Sequence, residues 1–195
     1  SGSVVASDLI NPIGIAVDGS GNVFIADSGG DWPPFLSEVL QAQPSGNGYE
    51  VYKILDGDNE VCGYEDGVVQ GLDWAGDGWL QMGIGKGSSH DGGLWGYNGA
   101  ICDQRRGLLG VDNIYAVAWH WNGVYFTDNV NGVAKKFPPN WPTTIATGLN
   151  EPKGIAVDGK GNVFISDTGN SQVLKLTPNG LGGFNDPVVV VNLQN

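Results

Sequence analysis

Basic side chains are scarce in this 195-residue chain, and so are cysteines, histidines and long apolar runs. Nine Lys and Arg stand against 21 Asp and Glu, which gives a formal net charge of −12. A chain this acidic repels phosphate backbones and anionic lipid headgroups, so nucleic acid is not expected as a partner. The longest aliphatic run is four valines at 188–191. Spanning a bilayer takes about 20 apolar residues, so membrane insertion is not expected either.

The side chains that build metal and redox sites are equally few. The two cysteines, Cys62 and Cys102, form no CxxC pair, and His90 and His120 are the only histidines. An oxidising compartment would let Cys62 and Cys102 form one disulfide, and the alternative is two buried thiols. No G-x-S-x-G elbow, phosphate-binding loop or H-E-x-x-H motif occurs. The sequence therefore signals no nucleophile, and we expect the protein not to be an enzyme.

Turn-forming residues are abundant. Gly supplies 33 residues and Pro ten, a density that suits short strands and tight turns better than long helices. At this length one packed domain, 1–195, is expected. Composition alone thus favours an all-β fold.

An internal repeat defines that fold more closely. The segment PIGIAVDGSGNVFIADSG at 12–29 recurs as PKGIAVDGKGNVFISDTG at 152–169, with fourteen of 18 positions identical. A divergent third copy, AVAWHWNGVYFTDN, lies at 116–129, and a weaker fourth, GLDWAGDGWLQMG, at 71–83. Each copy contains a small-apolar strand, a Gly- and Asn-rich turn and a second strand. Repeats of this length are typical of propeller blades, which bury their faces only by stacking on neighbours.

The pattern predicts a small β-propeller of about four four-stranded antiparallel blades. The blades are expected at roughly 10–67, 68–111, 112–148 and 149–195. Within the first blade, the third strand is expected around VYKIL at 51–55, and an inserted segment at 35–41 is expected to form a helical turn or two.

The motif P-x-G-I-A-V-D, followed by G-N-V-F-I and Asp, resembles the NHL repeats of β-propellers. That resemblance implies a propeller fold. It leaves function open, because such propellers include protein-binding and RNA-binding modules, extracellular sensor domains and a few metal-dependent lyases.

The chain ends supply one strand more than four blades need. Residues 1–9 precede Asn11-Pro12 as residues 144–149 precede Glu151-Pro152, so they are predicted to form an extra outer strand. The valines at 188–191 are predicted to form the same outer strand in the last blade. We expect one terminus to close the ring and the surplus strand to add to a blade or pair with another copy of the chain.

Acidic residues at the ends of second strands are the most regular charged feature. Asp27, Asp128 and Asp167 hold this position in three blades. They are candidates for ligand binding on one face of the ring, and Ca²⁺ is the one ion that such carboxylates would suit. The alternative is that each accepts hydrogen bonds from its own turn. No cofactor is predicted.

Tryptophans are the second set of candidates. Trp32, Trp95, Trp119 and Trp121 are placed in turns or blade connections, where an exposed indole offers a rigid face to a sugar, a peptide or another subunit. Packing of these rings in loops or core is the alternative. His120, in the predicted turn beside Trp121, is expected to face solvent.

The sequence predicts a non-catalytic binding module that acts outside the cytoplasm, in the extracellular space or the periplasm, with a protein or carbohydrate partner. One alternative is a structural subunit that forms oligomers or fibres by terminal strand exchange. Another is a metal-dependent lyase or hydrolase with its site in the propeller channel.

Overall fold

The structure is a computed structural model of the chain. It describes residues 4–28, 37–55, 67–85, 92–100, 102–104, 111, 113–137 and 142–192. Sixteen strands form four separate sheets of four strands each, and no α-helix occurs in these ranges. No helix in the described ranges has both the length and the apolar character needed to cross a membrane.

Each sheet is an antiparallel meander whose strands follow chain order. The first sheet contains β1 (Pro12–Val17), β2 (Val23–Ser28), β3 (Ser37–Ser45) and β4 (Gly48–Leu55). The second contains β5 (Val68–Ala75), β6 (Trp79–Gly85), β7 (Gly93–Tyr97) and β8 (Cys102–Gln104). The predicted all-β fold of four small propeller-like blades is confirmed.

The other two sheets repeat the arrangement. The third contains β9 (Ile114–His120), β10 (Gly123–Asp128), β11 (Val133–Phe137) and β12 (Thr143–Ala146). The fourth contains β13 (Pro152–Val157), β14 (Val163–Asp167), β15 (Gln172–Leu176) and β16 (Val188–Asn192), with a 3-10 turn at Thr168–Asn170.

The turn between the first two strands shows how the repeat fixes its own local structure. Asp18 Oδ1 accepts the backbone N–H groups of Ser20 and Asn22 at 2.8 and 2.9 Å, and Asp18 Oδ2 accepts the Asn22 amide at 2.7 Å. The same bonds recur at Asp158, 140 positions later. An aspartate that accepts from its own turn favours this hairpin over an extended chain. The two nearly identical sequences thus form hairpins with the same hydrogen bonds.

The core lies between consecutive sheets. We call the face of a sheet that points toward the next sheet in chain order its distal face, and the opposite face its proximal face. The terms apply in the same sense to the first and fourth sheets, which have a neighbour on one face only. Phe24 on the distal face of the first sheet stacks on Trp74 of the second, with ring centroids 5.0 Å apart. Further clusters join the second sheet to the third around Phe126 and the third to the fourth around Tyr125 and Ile165. The innermost strands carry the main contacts in sequence, β1 to β5, β5 to β9 and β9 to β13.

Two expectations about the first blade are wrong. Residues 35–41 were expected to be helical, but Ser37–Ser45 forms β3, and VYKIL lies in the fourth strand rather than the third. Both faces of β3 are buried, because Val39 packs in the cluster shared with the second sheet and Ala42 packs in the cluster on the proximal face. Burial on two faces of a strand outweighs the local helical pattern.

The surplus strand is also absent from the described part of the N-terminus. Residues 4–11 form no strand; instead Val5, Ala6 and Leu9 pack on the proximal face of the first sheet against Val23 and Ile25. The outer position of the fourth sheet is filled by β16. In the described chain the N-terminal segment therefore adds no fifth strand to a sheet.

Sheet spacing generates a first prediction. A Cβ added at Gly71 would lie 2.8 Å from the backbone of Ala116 and Val117 in the next sheet. We expect Gly71→Ala to lower the free energy of unfolding by about 1–3 kcal/mol, because backbone must move to admit the methyl group. Gly19→Ala, in open space, should change it by less than about 0.5 kcal/mol. Urea denaturation compares them, and equal midpoints for the two variants would contradict the packing described.

A second prediction concerns Asp73, whose carboxylate accepts the backbone N–H groups of Trp74 and of Trp119 in the third sheet. Burial raises the pKa of Asp73 above its ordinary 3.8, although both hydrogen bonds act to lower it. A raised pKa in the folded state means that this carboxyl stabilises most when protonated.

We therefore expect the unfolding free energy of wild type minus that of Asp73→Asn to fall as pH rises from about 3.8 through the folded pKa, and then to level off. Paired denaturation curves from pH 3 to 7 measure this difference. A difference that grows with pH would contradict the direction of the shift.

Candidate functional site

The three aspartates that end second strands are buried and hydrogen-bonded within the chain. Asp27 accepts the backbone N–H groups of Ile10 and Asn11 at 2.9 and 2.7 Å, which ties the N-terminal segment to β2. Its exposed fraction is 6%. Asp27 thus fixes the entry to the first blade.

Asp167 and Asp128 have comparable partners. Asp167 accepts the backbone N–H of Asn150 at 2.7 Å and the side-chain amides of Asn170 and Gln172 at 2.8 and 2.7 Å. Asp128 accepts both the backbone and side-chain N–H groups of Asn131. Asp128 and Asp167 accept hydrogen bonds from their own turns, as the capping alternative expects, whereas Asp27 accepts from the N-terminal segment, 16 and 17 positions earlier. Among the described residues, no three His, Cys, Asp or Glu side chains gather where they could hold a metal ion.

The predicted tryptophans differ in position and in exposure to solvent. Trp95 lies inside β7, not in a connection, and is buried between the first two sheets. Trp119 lies inside β9, half-buried against the core between the second and third sheets. Trp32 lies outside the described residues. Trp121, at the turn after β9, is 77% exposed, so it alone of the described candidates presents its indole to solvent.

A small polar network supports Trp121. The ring of His120 lies under it, with centroids 5.3 Å apart and planes tilted by 43°. Asn122 Oδ1 lies 2.7 Å from His120 Nδ1 and 3.0 Å from the Tyr125 hydroxyl. An amide oxygen only accepts, so this assignment has both groups donating to it. The expectation that His120 faces solvent is wrong: it ends β9 and is 8% exposed.

A pocket of about 230 Å³ lies close to this network, because Phe184 in its lining contacts the Tyr125 ring. It lies between the outer strands of the third sheet and the connection that leads to β16. Its floor is aromatic, since Phe184 meets Tyr125 edge-on with centroids 6.2 Å apart. Its lining residues are Lys136, Thr143, Thr144, Ile145, Gly182, Gly183 and Phe184.

Lys136 supplies the charge of the pocket. Its Nζ lies over the Tyr125 ring, 5.5 Å from the centroid. Burial lowers the pKa of Lys136 and raises that of Tyr125, since both charged forms lose hydration. In the described part of the chain no carboxylate pairs with the Lys136 ammonium. A cation beside aromatic rings and threonine hydroxyls suits a carboxylate or a comparable anion.

We use the name Trp121–Lys136 surface for the exposed Trp121, the pocket residues Lys136 and Phe184, and the two residues between them, Asn122 and the buried Tyr125. Sequence reasoning found Trp121 but missed the other four. Phe184 lies nearly 60 positions from Tyr125 and reaches it only because the third and fourth sheets pack together. The one local signal is KKF at 135–137, where a lysine alternates into a half-buried strand.

The remaining predicted site residues are the cysteines. Cys102, in β8, is disulfide-bonded. Cys62 lies outside the described residues.

Comparison with known proteins places the repeat. A search of curated proteins finds no match. The family model of the NHL repeat matches residues 149–176, which span β13 to β15 of the fourth sheet. The segment at 12–29 repeats the first part of that match almost unchanged. The chain thus contains an NHL repeat, and its four antiparallel four-stranded sheets, packed in sequence, are consistent with a β-propeller of the NHL type.

Proposed function

We propose that this protein is a non-catalytic binding module outside the cytoplasm, and that it holds an acidic segment of a partner protein on the Trp121–Lys136 surface. Propellers with NHL repeats typically mediate protein interactions. The observation that carries the proposal is that Tyr125 links the hairpin of the exposed Trp121 to a pocket whose cation has no carboxylate partner in the described structure.

The partner segment would be recognised by two parts of this surface, one apolar and one charged. Trp121 offers a large rigid apolar face at the rim, and such residues are enriched among binding hot spots. Lys136 and the hydroxyls of Thr143 and Thr144 offer a cation and hydrogen bonds inside the pocket. A segment with an apolar side chain a few residues from an Asp or Glu matches both. An acidic side chain would also neutralise a charge that burial leaves poorly hydrated.

The disulfide at Cys102 supports the proposed location. Disulfides persist in secreted and periplasmic proteins and are rare in the reducing cytosol.

The first test selects peptides from a random displayed library on the immobilised full chain and measures their affinity by fluorescence polarisation. We expect Trp121→Ala to weaken binding of the selected peptides about 30-fold, which corresponds to about 2 kcal/mol for a hot-spot side chain. Tyr52→Ala removes an aromatic ring that is 45% exposed on the first sheet and should leave affinity unchanged. Equal losses in both variants would contradict the assigned surface.

The second test addresses charge. The selected peptides should be enriched in Asp and Glu. Lys136→Met should weaken the binding of these peptides about tenfold and reduce the dependence of their affinity on salt concentration. Lys153→Met, on an exposed lysine of the fourth sheet, is the matched control. Selected peptides without acidic residues, or Trp121-dependent binding to glycans and not to peptides on parallel arrays, would overturn the proposal.

A further inference from the structure

The two end sheets each leave one face without a neighbouring sheet. Packing joins the first sheet to the second, the second to the third and the third to the fourth, but no comparable contact joins the described strands of the fourth sheet to those of the first. The free faces are the proximal face of the first sheet and the distal face of the fourth. Both sheets carry the near-identical repeat. The covered face of one sheet therefore shows how the matching free face of the other would pack against a neighbour.

On the fourth sheet the proximal face is covered. Ile155 and Val157 of β13 pack against Ala118 and Tyr125 of the third sheet. Their counterparts 140 positions earlier, Ile15 and Val17 of β1, are 66% and 56% exposed. The N-terminal segment covers only the more peripheral part of this face, around Val23 and Ile25. The innermost strand of the first sheet is therefore an uncovered apolar surface.

On the first sheet the distal face is covered. A Cβ added at Gly14 would lie 2.9 Å from the backbone oxygen of Gln70, because the two innermost strands approach closely there. The counterpart, Gly154, would meet only Ser166 of its own sheet. Ala156, the counterpart of buried Ala16, is exposed. The fourth sheet thus keeps a small-residue strand fit for close approach, and no sheet of the described residues packs on it.

We propose that these faces bind each other between two copies of the chain, with β1 of one copy docked on β13 of the next. Ile15 and Val17 would fill the strip opened by Gly154 and Ala156, a contact of the kind that joins consecutive sheets within one chain. The contact is head-to-tail, so each copy keeps one free face and association either continues or closes into a ring. It uses sheet faces and needs no exchanged strand.

The net charge of −12 opposes association, whereas burial of apolar side chains favours it. Salt screens the repulsion and leaves the apolar contact intact. We therefore expect the mass-average molar mass of the full chain, measured by light scattering on a sizing column, to rise above one chain with protein concentration and to rise further at 0.5 M NaCl.

Paired variants test the head-to-tail geometry. Ile15→Lys blocks the first-sheet face and Ala156→Lys blocks the fourth-sheet face, so each variant alone should remain a monomer. An equimolar mixture should give a dimer and nothing larger, because it contains one intact face of each kind. Val130→Lys places the same charge at a 67% exposed position on a turn of the third sheet and should associate as wild type does.

Each other outcome overturns the proposal. A wild-type chain that stays monomeric at millimolar concentration and high salt has no such contact. A dimer formed by either blocked variant alone would mean that like faces pair, and a mixture that remains monomeric would mean that the two faces do not meet. Melting curves of the variants establish that both fold. Trp121→Ala should leave association unchanged, which separates this result from the test of the proposed function.

Discussion

Close contact between the innermost strands of consecutive sheets is the constraint on which this structure depends. A four-stranded meander buries little by itself, so each sheet is stable only when a neighbour covers its face. At Gly14 and Gly71 the approach is so tight that a methyl group would enter the backbone of the next sheet. Phe24 of β2 and Trp74 of β5 add a stacked aromatic pair to the same interface. Glycines at the points of closest approach therefore set the spacing of these sheets.

The same packing creates the Trp121–Lys136 surface. Tyr125 is fully buried between the third and fourth sheets, yet its hydroxyl and its ring edge reach Asn122 and Phe184. It thereby connects the hairpin tip that carries Trp121 with the pocket that holds Lys136. The aspartates at the ends of second strands serve the scaffold, since their oxygens accept hydrogen bonds from the turns and segments beside them. Scaffold and candidate site thus use different residues of one repeat.

The first blade shows where local pattern and packing disagree. Residues 35–41 have the composition of a short helix, but a blade needs a third strand at this point and Val39 and Ala42 are buried in it. At the N-terminus, residues 4–11 have the pattern of an outer strand but form none, and Val5, Ala6 and Leu9 pack by their side chains on the first sheet. Trp95 and Trp119 are strand residues for the same reason, because sheet packing offers their rings more burial than a connection does.

The repeat by itself determined the blade, because fourteen shared positions specify a strand, a turn closed by Asp18 or Asp158 and a second strand. For the second-strand aspartates it left two roles open, ligand binding and turn capping. Only the tertiary structure decided which tryptophan is exposed, that His120 is buried, and that Phe184 and Lys136 meet Tyr125. These outcomes depend on contacts between sheets and between residues far apart in the chain, and a local pattern carries no information about which side chains a neighbouring sheet will cover.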